Sequence, residues 1–505
     1  MNNKIIEVHV EKVGNKAEAR DIYEARAVVA DASISGKDMK SDVTIIVQAY
    51  NNIEKTKRCV ESIIKYTEDV DYDLLLIDNG SESDTLEYFK SINIDKKSIV
   101  RVDNNIGSAF PGEVVSLNML SKYVAYIAND IIVTKNWLSN MLKVMESDTT
   151  IGLVNPVCSN TNNYQCVELA YKDYDDMQKK AENYNISDKT KWEERIRILT
   201  LGHVLRKECI YAIGWPINDF GFMHDFMDDD MSFRIRRAGY KIVLARDTWI
   251  CHDHPYSERN MDKLIESLDI GRTNFQQKYY GIDAWNDVNN YISPILGDKI
   301  KDVGVDNVAI LGIDVKCGTP ILDIKNEIRK YGIYDAELSA FTREEKYTVD
   351  LKTICDGIVV CDREEYITRK LPFEYYDYII IGKEINAYYE PINVLLDAYM
   401  VLKKGGQLIF SLHNTNNVFA LLRMLGYDKK GDKEYFYDYP MNQMFRDLKK
   451  MNVNVSFFTS ERVQSVANDV KELAKSLLES YAVENGVNEM YERLMADKLW
   501  FSIEK

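Results

Sequence analysis

Short apolar runs alternate with segments of helical spacing between residues 43 and 133. Four runs have the length of buried strands: 43–47, 74–77, 99–102 and 124–128. The intervening segments, which include 54–66 and 84–92, carry the spacing of helices. Strands that alternate with helices build a parallel sheet covered on both faces, because each crossover lays its helix against the sheet. The pattern therefore predicts an α/β fold for this part of the chain.

Polar residues follow each of these four predicted strands. They lie at 50–52, 78–81, 104–107 and 129–130. In parallel sheets the carboxyl ends of the strands lie at one edge, and ligands bind beyond that edge. One polar strand end is an ordinary turn. Four in succession favour a site large enough for a nucleotide.

A second series of apolar runs begins near residue 305 and predicts another α/β domain. The runs are 308–314, 357–361, 376–382 and 406–411. We predict an N-terminal appendage over 1–40, a first α/β domain over 41–256, a helical linker over 257–304, a second α/β domain over 305–460 and a helical tail over 461–505. A chain of 505 residues is too long for one hydrophobic core, which agrees with this division.

The composition excludes several classes of partner and location. A net charge of −16 argues against non-specific binding of nucleic acid, which needs a basic surface. No apolar run approaches the roughly 20 residues that span a bilayer, and the N-terminus has no signal-peptide core. The eight cysteines form no CxxC pair, so a zinc site is not expected. We expect a cytoplasmic protein without a transmembrane segment; its oligomeric state stays open.

Three consecutive aspartates, Asp228, Asp229 and Asp230, precede a histidine, His252, at the end of an apolar stretch. Adjacent carboxylates repel one another, so a fold that buries them must offset this repulsion. A divalent cation, a basic neighbour or a catalytic proton transfer would do so. The alternative is an acidic helix start, because aspartate is favourable in the first turn of a helix.

Residues 43–280 resemble glycosyltransferase family 2, the inverting nucleotide-sugar enzymes with a GT-A fold. Five motifs carry the resemblance: Gln48-Ala49-Tyr50-Asn51, Asp78-Asn79-Gly80-Ser81, Asn105-Ile106-Gly107, Asn129-Asp130, and the block from Asp228 to Tyr240. The resemblance implies a nucleotide-sugar site formed by Ala49, Tyr50, Asn52, Asp78, Asn105, Gly107 and Asn129. Tyr50 would stack on the base, and Asp78 would accept hydrogen bonds from uracil or ribose.

The resemblance also implies a metal site and a general base. Asp130 and His252 would bind Mn²⁺ or Mg²⁺, with His254 a weaker candidate. The imidazole favours Mn²⁺. Asp228 would take the proton of the acceptor hydroxyl, and Asp229 is the second candidate for this role. Asp230 is expected to form a structural pair with Arg234 at i,i+4 spacing.

Two positions depart from the family pattern. Ala128 stands where many members have the first acid of the metal motif, and Met227 stands where glutamate is common. Weak metal binding, metal-independent turnover and a catalytically dead scaffold therefore remain alternatives to a metal-assisted enzyme.

The block from 221 to 252 is similar to bacterial enzymes that modify flagellin or other surface proteins and glycans. The resemblance implies a UDP-sugar donor, with UDP-N-acetylglucosamine the best candidate, and a Ser or Thr of flagellin as acceptor. A cell-surface polysaccharide is the alternative acceptor.

Residues 305–460 resemble a class I methyltransferase whose glycine loop is degenerate. Lys316 stands at the first glycine position, where its side chain would crowd S-adenosylmethionine, and Pro320 stiffens the loop. We predict a domain without methyltransferase activity and without bound S-adenosylmethionine. A bifunctional glycosyl- and methyltransferase is the alternative.

Overall fold

The chain forms two units, Met1–Asn289 and Asn290–Lys505, in the computed structural model. The structure describes residues 4–14, 16–32, 41–82, 84–116, 118, 121–214, 226–254, 261–304, 307–424, 437–463, 468–479 and 487–505. Residues 221–225 of the predicted flagellin-type block lie outside this part. No helix within it is both long and apolar enough to cross a bilayer.

Unit 1 contains twelve strands and nine α-helices among the described residues. The strands are β1 (Lys4–Val8), β2 (Lys12–Val13), β3 (Lys16–Ala17), β4 (Val43–Ala49), β5 (Tyr72–Asn79), β6 (Lys97–Val102), β7 (Tyr123–Ala128), β8 (Ile131–Ile132), β9 (Ile151–Cys158), β10 (Trp192–Glu194), β11 (His203–Arg206) and β12 (Lys241–His252). The helices are α1 (Ala19–Asp31), α2 (Ile53–Tyr66), α3 (Thr85–Ser91), α4 (Phe110–Ser116), α5 (Trp137–Ser147), α6 (Tyr174–Tyr184), α7 (Lys207–Ile213), α8 (Met227–Arg237) and α9 (Met261–Lys278).

The large sheet of unit 1 has the strand order β1-β6-β5-β4-β7-β11-β9-β12-β10, and β8 pairs with β12. The first five strands are parallel, whereas β11 is antiparallel to both of its neighbours. All seven residues of β4 are buried, as expected for a central strand covered on both faces. The predicted α/β fold of this region is confirmed.

Side chains of the central strands alternate between two apolar cores. Ile46 and Val124 contribute to the core that α1, α4 and α8 cover. Val47 and Ala125 contribute to the other core, together with α2 and α5. This alternation follows from the two-residue period of a strand. It places α2 and α8 on opposite faces of the sheet.

The predicted appendage and part of the predicted linker belong to unit 1. β1 pairs in parallel with β6 and forms the sheet edge. In α9, Phe275 meets Phe233 of α8 edge to face at 5.2 Å. The boundary at 289/290 falls inside the segment predicted as a linker. Short-range periodicity identified these elements, but it carries no information about the partners against which they pack.

Unit 2 contains seven strands and nine α-helices among the described residues. They are, in chain order, α10 (Ser293–Leu296), β13 (Val308–Ile313), α11 (Thr319–Glu327), β14 (Ala336–Thr342), α12 (Thr348–Leu351), β15 (Val359–Cys361), α13 (Ile367–Lys370), β16 (Tyr376–Ile381), α14 (Pro391–Val401), β17 (Leu402–His413), α15 (Val418–Met424), α16 (Met441–Lys450), β18 (Val455–Arg462), α17 (Asn468–Glu479), α18 (Val487–Leu494) and β19 (Ala496–Glu504). The predicted second α/β unit is confirmed.

The sheet of unit 2 has the order β15-β14-β13-β16-β17-β19-β18. Its first five strands are parallel, and β19 runs antiparallel between β17 and β18. The tail over 461–505 thus contains the predicted helices α17 and α18 but ends in a strand. Leu499, Phe501 and Ile503 of β19 are buried. The short apolar pattern of β19 directly follows these charged helices, so the sequence predicted only a helical tail.

Candidate functional site

The pairing of β8 with β12 brings a carboxylate and two histidines together. His252, the last residue of β12, is paired with Ile131, so it lies beside Asp130. The Asp130 Oδ2 atom is 3.6 Å from His252 Nε2 and 3.0 Å from His254 Nδ1. One ligand atom from each of the three residues lies within 4.8 Å of the others. His254, the weaker candidate on sequence, lies nearer to the carboxylate than His252 does.

The donor set of this cluster fits a divalent transition metal. Two imidazole nitrogens and one carboxylate oxygen suit Mn²⁺, and the ion would keep further positions for phosphate oxygens. Burial alone raises the pKa of the Asp130 carboxyl, but hydrogen bonds with His252 and His254 outweigh it and hold the pKa well below its ordinary value. Asp130 is therefore ionised, as a metal ligand must be.

A backbone carbonyl orients the imidazole of His252. Its Nδ1–H donates to the Asn160 carbonyl oxygen at 3.2 Å. This bond leaves Nε2 as the nitrogen that faces Asp130, and a cation bound there would replace any proton on Nε2 and take its lone pair. The side-chain amide of Asn160 donates in return to the backbone carbonyl of His252 at 2.9 Å. Asn160 has a left-handed backbone, with φ of 51°. No pattern in the sequence had pointed to this residue.

The first aspartate of the triplet, Asp228, lies in the first turn of α8 and is half-buried. Its Oδ1 atom accepts hydrogen bonds from the Thr200 amide, at 3.2 Å, and from the Thr200 hydroxyl. Burial raises the pKa of Asp228 to about 6, and the neighbouring Asp229 adds to the shift. A carboxylate with a pKa near the working pH is suited to general base catalysis.

The other two aspartates are bound by basic or phenolic side chains. Asp229 is buried and forms a two-pronged ion pair with Arg197. Asp230 is bound by the Tyr279 hydroxyl and by Lys278 at 2.8 Å. The expected pairing of Asp230 with Arg234 is present at 3.6 Å. Since Asp229 is held by a guanidinium, these contacts favour Asp228 as the base.

Asp228 and Asp130 belong to the same edge of the sheet. Thr200, which binds Asp228, lies three residues before His203, and His203 of β11 pairs with Tyr126 of β7. Because the two strands are antiparallel, the segment before His203 continues past the carboxyl end of β7. Asp130 follows that same strand end. The structure thus brings the predicted base and the predicted metal ligands to one edge.

Hydrogen bonds join the loops after β4, β5 and β6. The Asn51 amide donates to the Ser81 hydroxyl at 2.9 Å. The side-chain amide of Asn79 donates to the Gly107 carbonyl at 2.9 Å. The backbone amide of Gly107 donates to the side-chain oxygen of Asn105 at 3.0 Å. These contacts gather the predicted nucleotide-site residues Asn105 and Gly107. Asn79, to which no role was assigned from the sequence, also accepts the Ile106 amide at 3.1 Å and so binds the loop after β6 through both its side-chain nitrogen and its side-chain oxygen.

Backbone conformation allows the close approach of these loops. A Cβ atom at Gly80 would lie 2.4 Å from the Asn105 amide nitrogen, and Gly80 has φ of +74°. Only glycine fits such a contact without displacing the neighbouring backbone. The loops after β5 and β6 therefore lie in direct backbone contact.

The remaining predicted nucleotide-site residues occupy different environments. Asp78 is fully buried, is paired with Arg101, and accepts the Ser81 amide at 3.0 Å. Asn129 donates to the Thr56 hydroxyl at 3.0 Å. The other three lie around the end of β4: Ala49 is buried, Tyr50 is 41% exposed, and Asn52 precedes α2 with a left-handed backbone. Tyr50 is thus the residue among them with a ring open to a base.

The carboxyl edge of the sheet in unit 2 is occupied by its own side chains. Asp314, which follows β13, accepts hydrogen bonds from Arg343 Nε at 2.9 Å and from the Tyr388 hydroxyl at 2.8 Å. Arg343 also lies 4.6 Å from the centre of the Tyr388 ring and 3.4 Å from Glu364. A Cβ at Gly382 would lie 2.7 Å from the Asp314 carbonyl oxygen. The loop after β13 therefore lies directly against the end of β16, where ligands bind in such sheets.

Comparisons with known proteins agree with the architecture of unit 1. Residues 44–193 match the family model for glycosyl transferase family 2. An uncharacterized glycosyltransferase of Rickettsia felis is 28% identical over 109 residues, 22% of this chain and 18% of that protein. The chain spans about a fifth of the length of the curated relatives it matches. These matches support a glycosyltransferase family 2 domain in unit 1.

Two solved structures are similar to parts of the chain. The mannosyltransferase PcManGT from Pyrobaculum calidifontis, in complex with GDP-Man and Mn²⁺, has a TM-score of 0.36 and 14% identity, covering 51% of this chain and 73% of its own. A SAM dependent methyltransferase from Archaeoglobus fulgidus has a TM-score of 0.28 and 16% identity, covering 46% of this chain and 99% of its own.

Proposed function

We propose that unit 1 is an inverting glycosyltransferase that moves a sugar from a UDP-sugar to an acceptor hydroxyl. The observation that carries this proposal is the joint position of two groups at one sheet edge. One is the cluster of Asp130, His252 and His254, and the other is the carboxyl of Asp228. A metal-assisted transfer of this kind uses a group of metal ligands and a general base whose pKa is raised toward the working pH.

Asp228 acts as the general base in this proposal. It takes the proton of the acceptor hydroxyl while the hydroxyl oxygen bonds to the anomeric carbon. The bond from that carbon to the diphosphate oxygen breaks, and UDP leaves. Thr200 holds Asp228 Oδ1 through its amide and hydroxyl, so the position of the base is fixed.

Asp130, His252 and His254 would hold Mn²⁺, or less readily Mg²⁺. The bound ion would supply positive charge to the leaving diphosphate. The carbonyl of Asn160 keeps the His252 ring in the orientation that this requires. This donor set supports a metal-assisted enzyme over metal-independent turnover, in spite of Ala128.

The nucleotide would bind along the wall formed by the loops after β4, β5 and β6. Tyr50 offers an exposed ring for stacking on the base, next to Ala49 and Asn52. The ion pair between the buried Asp78 and Arg101 would stabilise these loops beneath the nucleotide. UDP-N-acetylglucosamine is the first donor to test.

We also propose that the acceptor is a Ser or Thr hydroxyl of flagellin, with a surface polysaccharide as the alternative. In unit 2, the Asp314–Arg343–Tyr388 contacts fill the sheet edge where a cofactor would bind. This supports a scaffold or acceptor-binding role without S-adenosylmethionine, and calorimetry that finds micromolar binding of S-adenosylmethionine would contradict it.

The direct test of the transferase is UDP release from a panel of nucleotide sugars, with and without Mn²⁺. We expect Asp228→Asn to lower the turnover of the best donor about 10²–10⁴-fold, the usual contribution of a general base. The amide keeps an oxygen that can accept both hydrogen bonds from Thr200, so the fold should be unaffected.

Asp173→Asn is the matched control. Asp173 caps the N-terminus of α6 and accepts the Asp176 amide at 2.9 Å, outside the proposed site. Asparagine is an equally good cap, so this variant should retain wild-type turnover. Equal and slow UDP release by wild type and Asp228→Asn with every donor would instead favour a catalytically dead scaffold.

A further inference from the structure

A row of polar side chains crosses the face of the unit 1 sheet that α8 covers. Tyr126 of β7 is paired with Ile46 of β4 and with His203 of β11, so all three side chains lie on one face. Gln48, two residues after Ile46, lies on the same face. The Tyr126 hydroxyl donates to the Gln48 side chain and to the Ser108 carbonyl, the latter at 3.2 Å. The rings of Tyr126 and His203 lie 5.8 Å apart.

His203 is buried with both ring nitrogens unsatisfied. The residue is 3% exposed, and neither Nδ1 nor Nε2 has a hydrogen-bond partner among the described residues. The Ser108 hydroxyl is also buried without a partner there. Burial lowers the pKa of His203 to about 3, so the ring is neutral and carries one donor and one acceptor. Buried polar groups are nearly always paired in native proteins, so these atoms call for a partner.

His203 belongs to the pair of strands, β7 and β11, whose neighbouring ends lead to the proposed base and to the proposed metal ligand Asp130. Thr200, three residues before His203, binds Asp228, and Tyr126 lies four residues before Asp130. Gly202 fixes the position of this segment. A Cβ atom there would lie 2.6 Å from Ile250 of β12, and φ is +72°. The sugar of a donor would occupy the space between base and metal, because its anomeric carbon bonds to the acceptor oxygen that Asp228 deprotonates and separates from the diphosphate oxygen, whose charge the metal would balance.

We propose that His203, together with Ser108, hydrogen-bonds hydroxyl groups of the transferred sugar and thereby selects it. A sugar hydroxyl both donates and accepts, so neighbouring hydroxyls satisfy both ring nitrogens and the serine. An apolar ligand would leave all of them unpaired. This inference rests on the proposed function and deepens it, since it assigns sugar recognition to a residue of β11.

The test compares the binding of UDP with that of UDP-sugars in the presence of Mn²⁺. The probes are UDP, UDP-N-acetylglucosamine, UDP-glucose and UDP-galactose, each titrated calorimetrically into the full chain. The measured quantity is the ratio of the Kd of UDP to the Kd of the best-bound sugar nucleotide. His203→Phe keeps a ring against Tyr126 and removes both nitrogens.

We expect His203→Phe to lower this ratio roughly tenfold or more while the Kd of UDP stays within about twofold. The Tm of the ligand-free variant should equal or exceed that of wild type, because a buried unsatisfied polar group has been removed. His203→Gln, which restores a donor and an acceptor, should recover part of the ratio. His413→Phe in unit 2 is the matched control and should leave the ratio unchanged.

Two results would overturn the inference, and they differ. An unchanged ratio with intact UDP binding refutes the role of His203 alone, and a lower Tm in that case makes it a structural residue. Failure of wild type to bind UDP or any UDP-sugar with Mn²⁺ refutes the proposed function, and the role of His203 with it.

Discussion

The two units have parallel sheets whose carboxyl edges differ in how their charges are satisfied. At the edge of unit 1, Asp130 faces two histidines, and Asp228 is held by a neutral threonine. At the edge of unit 2, Asp314 is bonded by Arg343 and by the Tyr388 hydroxyl. The first edge presents groups that can take up a cation or a proton. The second edge neutralises its own acid.

This difference separates a ligand site from a scaffold on similar architectures. A parallel sheet gathers polar strand ends at one edge in either case. Whether that edge binds a ligand depends on side chains that the fold does not dictate. Changes that remove the cation-binding groups of unit 1, or the internal ion pair of unit 2, therefore test the contrast from both sides.

The largest expected effect follows loss of a metal-ligating histidine. His252→Ala and His254→Ala should each lower Mn²⁺-dependent UDP release on the order of 10³-fold, because charge neutralisation by the ion contributes several kcal/mol. Similar losses for both would establish His254 as a full ligand.

The control for this pair is His413→Ala, in which a histidine 3.8 Å from Asp497 is removed from unit 2. It should keep wild-type turnover. If His254→Ala also turns over normally, the cluster is reduced to Asp130 and His252.

The second effect concerns the internal ion pair of unit 2. Arg343→Leu leaves Asp314 without its guanidinium and should lower the free energy of unfolding of unit 2 by about 2–3 kcal/mol. This is less than for a fully buried pair, because a quarter of the Arg343 side chain is exposed. Chemical denaturation measures the change.

Arg369→Leu, at an exposed arginine of the same unit, should change stability by no more than about 0.5 kcal/mol. If the two substitutions changed the free energy of unfolding equally, the Arg343–Asp314 pair would be an ordinary surface interaction. Asp314 would then not be neutralised, and the sheet edge of unit 2 would be available to a ligand.

The third effect tests the carbonyl that orients His252. Asn160→Ala removes the side chain that donates to the His252 carbonyl, and alanine tolerates φ of 51° less well than asparagine, so the Asn160 carbonyl should shift and Mn²⁺ affinity should fall about 10–100-fold. Asn160→Gly accepts the same φ and should have a smaller effect. Asn452→Ala in unit 2, at φ of 56°, imposes similar strain and should leave Mn²⁺ affinity unchanged.

The smallest effect is a pH dependence that arises from Asp228. Its pKa is raised to about 6 and the carboxylate is the active form, so kcat/KM should fall about tenfold per pH unit below pH 6. The neighbouring groups are Thr200, Asp229 and Arg197. In Asp228→Asn, the residual kcat/KM should not show this decrease below pH 6. A decrease that persists in the variant would arise from another titrating group.

The same shift affects stability with a definite sign. A carboxyl whose pKa is higher in the folded state stabilises the fold below its unfolded pKa of about 4. This stabilisation is lost as the pH rises through about 6. Asp228→Asn should therefore gain in Tm relative to wild type between pH 4 and pH 7.

Local patterns predicted the strands, their polar ends and several of the groups that meet there. Asp130 and His252, which only the family resemblance had paired, lie together because each follows or ends an apolar strand of the same sheet. The nearness of His254 had a signal in the sequence, since residues two apart on an extended chain share a side. Contacts that join distant segments, such as Asn160 with His252 and Thr200 with Asp228, had none.

The end of the chain shows the same limit. The helices of the predicted tail have the periodicity that identified them, but β19 enters the sheet between β17 and β18. Its burial comes from strands about 40 and 90 residues earlier in the chain. Tertiary pairing of this kind cannot be inferred from the local sequence.

The most direct measurement is a calorimetric titration of UDP into the full chain, with and without Mn²⁺, for wild type and Asp130→Ala. We predict one UDP per chain, bound more tightly by about tenfold or more with Mn²⁺ than without it, and no effect of Mn²⁺ in Asp130→Ala. Binding of UDP that is equally tight without Mn²⁺, or an unchanged Mn²⁺ effect in Asp130→Ala, would contradict the assignment of this sheet edge as a metal and nucleotide site.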